Sequence, residues 1–215
     1  MIKITDLKVA LIYDFKMLED VVAERLHIEH SRIESISIAK RSVNALNKQD
    51  IYFNMTVVVC VSGDENEIIW TLKDKCISKE IELIYTVPKV KKLKERPVVV
   101  GCGPAGLFAA LILAQAGERP ILLERGLDVD SRKQKVIKFW HTGILDIQTN
   151  VQFGEGGAGA FSDGKLKIGK KDSRKIKVLS ELVEAGAPPE IMYLSKPHIG
   201  TDRLNETVKK IREKI

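Results

Sequence analysis

Apolar and polar positions alternate loosely from Ile2 to Ile12, which predicts a strand. Asp14 then stands where an N-cap belongs. Met17, Val21, Val22 and Leu26 recur on one face of a helix ending near Leu26. Ile33, Ser35, Ile36 and Ile38 alternate with one slip. The stretch from Ile51 to Val61 is rich in β-branched and aromatic residues and predicts a firmer strand. Gly63 and Asp64 turn the chain into a short helix with Ile68, Ile69 and Leu72 facing in, and residues 81–85 are expected to close the sheet. The order β-α-β-β-α-β is that of a small α+β, ferredoxin-like domain over residues 1–88. Nothing in it points to catalysis.

Residues 89–96 lie in a run of lysines, VPKVKKLKER, that reads as a basic linker and solvated connector; it lacks the aromatics that single-strand binding uses. From Pro97 the texture changes. Val98, Val99 and Val100 form a short continuous apolar run, as in a parallel strand buried on both faces. A glycine-rich turn follows, then LFAALILAQAG, a buried helix with Gly117 at its C-terminal end, then a second short strand, ILLE.

The turn reads Gly101-Cys-Gly103-Pro104-Ala105-Gly106, and Glu124 ends the second strand 23 positions after Gly101. This GxGxxG follows a strand and opens a helix, the context that gives the motif meaning. Gly101 permits the tight turn, Gly103 lets a pyrophosphate approach the backbone, and Gly106 lets helix and strand pack closely. Pro104 in the first helical turn wastes no donor. The free N–H groups and the dipole at the helix start favour phosphate. Glu124 can accept hydrogen bonds from a ribose diol and would repel a 2′-phosphate, which favours FAD or NAD over NADP. Cys102 sits at a variable position, where a helix N-terminus can lower a thiol pKa; the plainer reading is a small residue that fits.

A second cluster, NVQFGEGGAGAFSDGKL over residues 150–166, holds five glycines and cannot be the interior of a helix or strand. Its backbone can form an anion-binding concavity, with Lys165 and Lys167 adding positive charge. Between the clusters, Ser131 is placed to cap a helix to about His141, with Val136, Ile137, Phe139 and Trp140 on its apolar side. Arg132 and Lys133, at its start, are open to cofactor phosphates or to solvent.

The 215 residues suit one large or two small domains, at about 100–200 residues each. Charge divides unevenly: residues 1–88 hold 11 basic and 14 acidic residues, residues 89–215 hold 24 and 15. The second part should therefore meet an anion. The longest apolar run, Leu107 to Ala114, is about half a membrane span, and the N-terminus has no signal-peptide core. Three scattered cysteines, with no CxxC pair, argue against disulfides, zinc and thiol–disulfide exchange. A cytoplasmic, metal-free protein is expected.

RPVVVGCGPAGLFAALILAQAG with PILLERG resembles the FAD-binding βαβ of the glutathione-reductase-like flavoprotein superfamily. NVQFGEGGAGAFSDGKL and KPHIGTDRL resemble, more narrowly, bacterial FAD-dependent oxidoreductases described as NAD(FAD)-utilizing dehydrogenases, whose members also carry an N-terminal α+β domain. The resemblance implies a Rossmann-like FAD/NAD(P)-binding domain over residues 97–215. Family members are longer, and this chain stops in a predicted helix beginning at Thr201 or Asp202, so the domain is expected to be incomplete at its C-terminus. Gly101, Gly103, Pro104, Ala105, Gly106, Glu124 and the adjacent Arg125 would hold the ADP half of FAD. Gly154, Gly156, Gly157, Ala158 and Ser162 would lie near the pyrophosphate or flavin. The implied activity is flavin-mediated hydride or electron transfer, with NAD(P)H as donor and an unassigned acceptor. His198 is the one histidine beside motif-like sequence and the candidate proton donor; Asp163 and Lys165 are lesser polar candidates. An RNA-associated flavoprotein and a plain NAD-binding dehydrogenase domain are the alternatives; the latter leaves the second glycine cluster unexplained.

Overall fold

A computed structural model describes residues 1–161, 164–166 and 172–215. The described residues form a mixed α and β structure with a four-stranded antiparallel sheet, a two-stranded parallel pair and six α-helices. The chain divides into two compact units: Met1–Glu82 with Met192–Lys196, and Leu83–Ile191 with Pro197–Ile215.

The first unit contains β1 (Ile2–Val9), α1 (Phe15–Leu26), β2 (Ile33–Asn47), β3 (Asp50–Val61), α2 (Glu65–Leu72) and β4 (Ile77–Lys79). The sheet order is β2-β3-β1-β4, with every neighbouring pair antiparallel. β1 and β2 therefore run parallel with β3 between them. Both helices begin on an aspartate cap: Asp14 accepts from the Met17 N–H at 2.7 Å and Asp64 from the Asn66 N–H at 2.8 Å. One sheet face is the core, where Ile2, Ile4, Met55, Val57 and Val59 pack under Leu18, Val22 and Leu26. Residues 192–196 join this unit through main-chain bonds from Arg41 N–H to Tyr193 O and from Ser195 N–H to Arg41 O.

Three expectations for this unit need correction. The first strand stops at Val9, and Leu11 and Ile12 are exposed. β2 runs on to Asn47 rather than ending at Ile38, because its polar residues pair with β3 as an exposed extension of the hairpin. The sheet is closed by β4, not by residues 81–85, where Ile81 and Ile84 are 73% and 70% exposed. Ile77 is the residue that reaches the core from this end of the chain, opposite Ile4.

The second unit contains β5 (Val98–Val100), α3 (Pro104–Gln115), β6 (Ile121–Leu123), α4 (Val129–Thr142), α5 (Ser173–Glu184) and α6 (Thr201–Lys214). β5 and β6 pair in parallel with α3 as the crossover. Leu107 and Leu111 of α3 pack with Leu179 and Leu182 of α5 and with Val208 and Ile211 of α6. The valine run is not buried on both faces: β5 pairs only with β6 among the described residues, and Val98 and Val100 are 56% and 82% exposed. The cap of α4 is Asp128, not Ser131; its carboxylate accepts from the N–H groups of Asp130 and Ser131. The basic linker is partly tied down: Arg96 donates to the carbonyls of Arg119 and Pro120, and Leu93 N–H donates to Glu118.

Candidate functional site

A cavity of about 500 Å3 opens where β5 and β6 end, lined by Gly101, Gly103, Glu124, Arg125, Gly154 and Gly157 together with Val100, Leu123, Gln152 and Phe153. Six of the residues expected to hold a nucleotide thus share one concavity, drawn from both glycine clusters. Its size falls within the roughly 300–1,000 Å3 of small-ligand pockets.

Each glycine has its own geometric reason. Gly101 leaves β5 at φ +97°, a left-handed conformation that side chains resist. A Cβ on Gly106 would stand 1.8 Å from the Gly101 carbonyl oxygen, so α3 and β5 touch there. Gly103, the N-cap residue of α3, is different: a Cβ there would meet nothing within 4 Å. The space it would enter is the cavity. Gly103 offers no side chain to cap α3, and Pro104 has no N–H, so the first helical turn presents uncapped donors beside the cavity. Pro104 and Ala105 are exposed at this helix start.

Glu124 holds the turn it ends. One carboxylate oxygen accepts from Cys102 N–H at 2.7 Å and the other from Gly126 N–H at 2.9 Å. A carboxylate has about four lone-pair positions, so acceptor capacity remains for a ligand. Arg125 lies over the Phe153 ring, 4.0 Å from its centroid.

The second cluster packs directly on the first. Gly156 N–H donates to the Cys102 carbonyl at 2.8 Å, and a Cβ on Gly157 would come within 3.1 Å of Pro104 Cδ. Gly126 is pressed on Gly154, whose Cα a Cβ at Gly126 would meet at 2.5 Å. Beneath the loop lies Arg132, fully buried. Its guanidinium donates to the carbonyls of Asn150, Val151, Gly154, Glu155 and Gly157 at 2.5–3.2 Å. Arg132 therefore faces neither solvent nor a phosphate. Burial draws its pKa down, against Glu124 and Glu155.

Glu155, 2% exposed, ties the loop to two helices: its carboxylate accepts from Val129 N–H at 2.7 Å and from Arg212 at 2.8 Å. Burial pushes its pKa up, against those two partners. Cys102 is buried beneath the turn, and burial, with Glu155 and Glu124 nearby, raises its thiol pKa to about 11. The helix N-terminus does not activate it.

Not every expected residue converges. Gly156 is buried behind the cavity wall, and Ala158 is exposed at the start of a 3-10 turn outside it. Ser162 lies outside the described residues, as do Asp163 and Lys167. His198 forms a bridge with Lys165 and lines a separate surface depression with Thr201, Asp202 and Arg203. No group of three or more metal-ligating side chains exists among the described residues. Glu155 and Phe153 are contributors that sequence reasoning missed, and Arg132, expected to face phosphates or solvent, is instead internal. One signal for Arg132 was available: Val129, Arg132 and Val136 fall on one helical stripe, the buried one.

Residues 1–60 match the model of a domain of unknown function, DUF8436. The whole chain is 48% identical over 216 residues to an uncharacterized protein of Clostridium beijerinckii. The match covers 100% of this chain and 40% of that protein, so the chain spans about two-fifths of the length of the curated relative it matches.

Proposed function

We propose that the second unit is a Rossmann-like dinucleotide-binding domain that holds FAD, preceded by a ferredoxin-like α+β domain, in a flavin-dependent oxidoreductase using NAD(P)H as donor. The observation that carries this reading is the cavity at the ends of the parallel strands, where both glycine clusters and Glu124 meet. Ligands of open α/β sheets bind at the carboxyl ends of their strands. The empty space a Cβ would enter at Gly103 and the uncapped first turn of α3 fit a diphosphate, and the unused lone pairs of Glu124 fit a ribose diol. The bound flavin would supply hydride or electron transfer; the chain's own residues hold and orient the nucleotide.

The second glycine cluster favours FAD over a plain NAD-binding domain, since its loop forms the cavity wall opposite the first turn. An RNA role has less support. The middle of the open sheet face in the first unit carries Ser37, Val58, Lys3 and Ser78 in register, and Tyr52, farther along the same face of β3, already has Lys8 over its ring, 4.6 Å from the centroid. No helix among the described residues is long and apolar enough to cross a membrane.

The test is a titration of the purified protein with FAD and, separately, NAD, after its visible spectrum has been recorded. FAD binding that Gly103→Val abolishes and Glu124→Ala weakens about tenfold supports the reading, the loss corresponding to one charge-assisted hydrogen-bond pair. Absence of FAD binding, or FAD binding indifferent to both changes, overturns it.

A further inference from the structure

We infer that Arg132 is a positioning residue for an anion-binding loop: a buried cation that draws five carbonyls of residues 150–157 inward and so turns the opposite, N–H edge of that loop toward a phosphate-sized anion. This rests on the proposed function for the identity of the anion, not for the geometry.

In a trans peptide the carbonyl and the next residue's N–H point in opposite directions. The carbonyls of Asn150, Val151, Gly154, Glu155 and Gly157 point at the guanidinium. The N–H groups of Val151, Gln152, Glu155, Gly156 and Ala158 therefore point away from it. Three are used within the protein: Gln152 on the Asn150 side chain, Glu155 on the Leu127 carbonyl and Gly156 on the Cys102 carbonyl. Those of Val151 and Ala158 have no partner among the described residues. Ala158 follows Gly157, which lines the cavity and presses on Pro104 at the start of α3. Its free donor therefore adjoins Gly157, the cavity-lining residue that presses on the start of α3, although the Ala158 side chain lies outside the cavity.

The guanidinium meets five carbonyls and no carboxylate among the described residues: the Glu155 carboxylate is turned to Val129 and Arg212. Glu124 and Glu155 act on it only through space, so its hydrogen bonds are all spent on shaping the loop. Arginine suits the site because Nε, Nη1 and Nη2 of one planar group reach five carbonyls at once, three of them sharing Nη1; lysine keeps the charge and loses the geometry.

The experiment compares wild type, Arg132→Lys and Glu181→Gln, the last a buried-charge change in the α3–α5–α6 packing that leaves the loop intact. Amide hydrogen exchange without nucleotide is read at Gln152, Glu155 and Gly156, and FAD affinity by titration. Arg132→Lys is expected to speed exchange at those amides and to weaken FAD at least about tenfold, while Glu181→Gln changes neither beyond its global stability. Retained loop protection in Arg132→Lys overturns the inference. So does a loss of FAD affinity no larger than in Glu181→Gln. If wild type does not bind FAD, the functional reading falls and exchange alone decides the positioning role. Should Arg132→Lys fail to fold, wild-type protein titrated with inorganic pyrophosphate decides it: the Ala158 amide resonance must shift with those of Ala105 and Gly106, and an unmoved Ala158 overturns the inference.

Discussion

Arg132 and Gly154 are fitted to each other: the guanidinium donates to the Gly154 carbonyl at 3.2 Å, and a Cβ on Gly154 would lie 2.6 Å from Arg132 Cδ. Gly154 also sits at φ +121°, where side chains are strained. Arg132 cannot retreat without releasing its other four carbonyls. Gly154→Ala should therefore destabilise the second unit by about 2–4 kcal/mol, from backbone strain plus a displaced buried hydrogen-bond network. Urea denaturation checks this; a loss under about 1 kcal/mol would show that the arginine moves freely.

Glu181 of α5 is a buried acid-sensitive tie in the same unit. Burial alone raises its pKa, but hydrogen bonds from Lys177, Lys214 and Gln115 outweigh that and hold it at about 2, below its ordinary 4.5. A carboxyl whose folded pKa is depressed stabilises the fold above the unfolded pKa and loses that contribution as pH falls through the folded one. Stability should thus drop between about pH 4.5 and 2, by the order of 3 kcal/mol from this group. Denaturation curves of wild type and Glu181→Gln, taken across that window, should differ in slope. Parallel curves would refute the assignment.

Local features were readable from the residues alone, and features set by distant partners were not. Asp14 and Asp64 cap their helices because a cap needs only the next three residues. Ile81 and Ile84 looked like strand residues, but whether an apolar residue is covered depends on register, and β4, beginning four residues earlier at Ile77, took that edge. The valines of β5 looked doubly buried for the same reason. At the candidate site, the glycines and Glu124 were legible because their spacing encodes a turn. Arg132 was not, since a charged residue on a helix is ordinarily a solvated one and only the loop 20 residues on makes it internal. For Cys102 the plainer of the two readings, a small residue that fits, is the one that agrees with the structure: burial among carboxylates outweighs the helix start.

That burial sets the chemistry of Cys102. With its pKa near 11, the thiol holds its proton at neutral pH and is inert. Treatment of native protein with a disulfide reagent at pH 7.5 should modify Cys60 and Cys76, which are partly exposed, and leave Cys102 untouched until denaturant is added. Mass spectrometry of the labelled peptides reads this directly. Modification of Cys102 at the rate of the other two would show that the turn above it opens.

The glycines of the first turn separate folding from binding. Gly106 has ordinary φ, and its requirement is space: a Cβ 1.8 Å from the Gly101 carbonyl must push α3 off β5, so Gly106→Ala should cost several kcal/mol, about 3 or more, or prevent folding. Gly117 is the converse. It has open space but sits at φ +87° just past the end of α3, so Gly117→Ala should cost only the left-handed penalty, about 1–2 kcal/mol. Gly103 has neither constraint: its backbone is extended and nothing lies within 4 Å. Because Gly103 is the N-cap of α3, Gly103→Ala should cost about 0.5–1 kcal/mol, far less than Gly106→Ala. Its methyl group nonetheless enters the cavity where a diphosphate would approach the main chain. Melting curves and FAD titrations on the three variants should therefore rank in opposite orders around Gly103, stable but weak in binding. If Gly103→Ala binds FAD as wild type does, the close approach of a phosphate at this turn is wrong, whatever the stability of the protein.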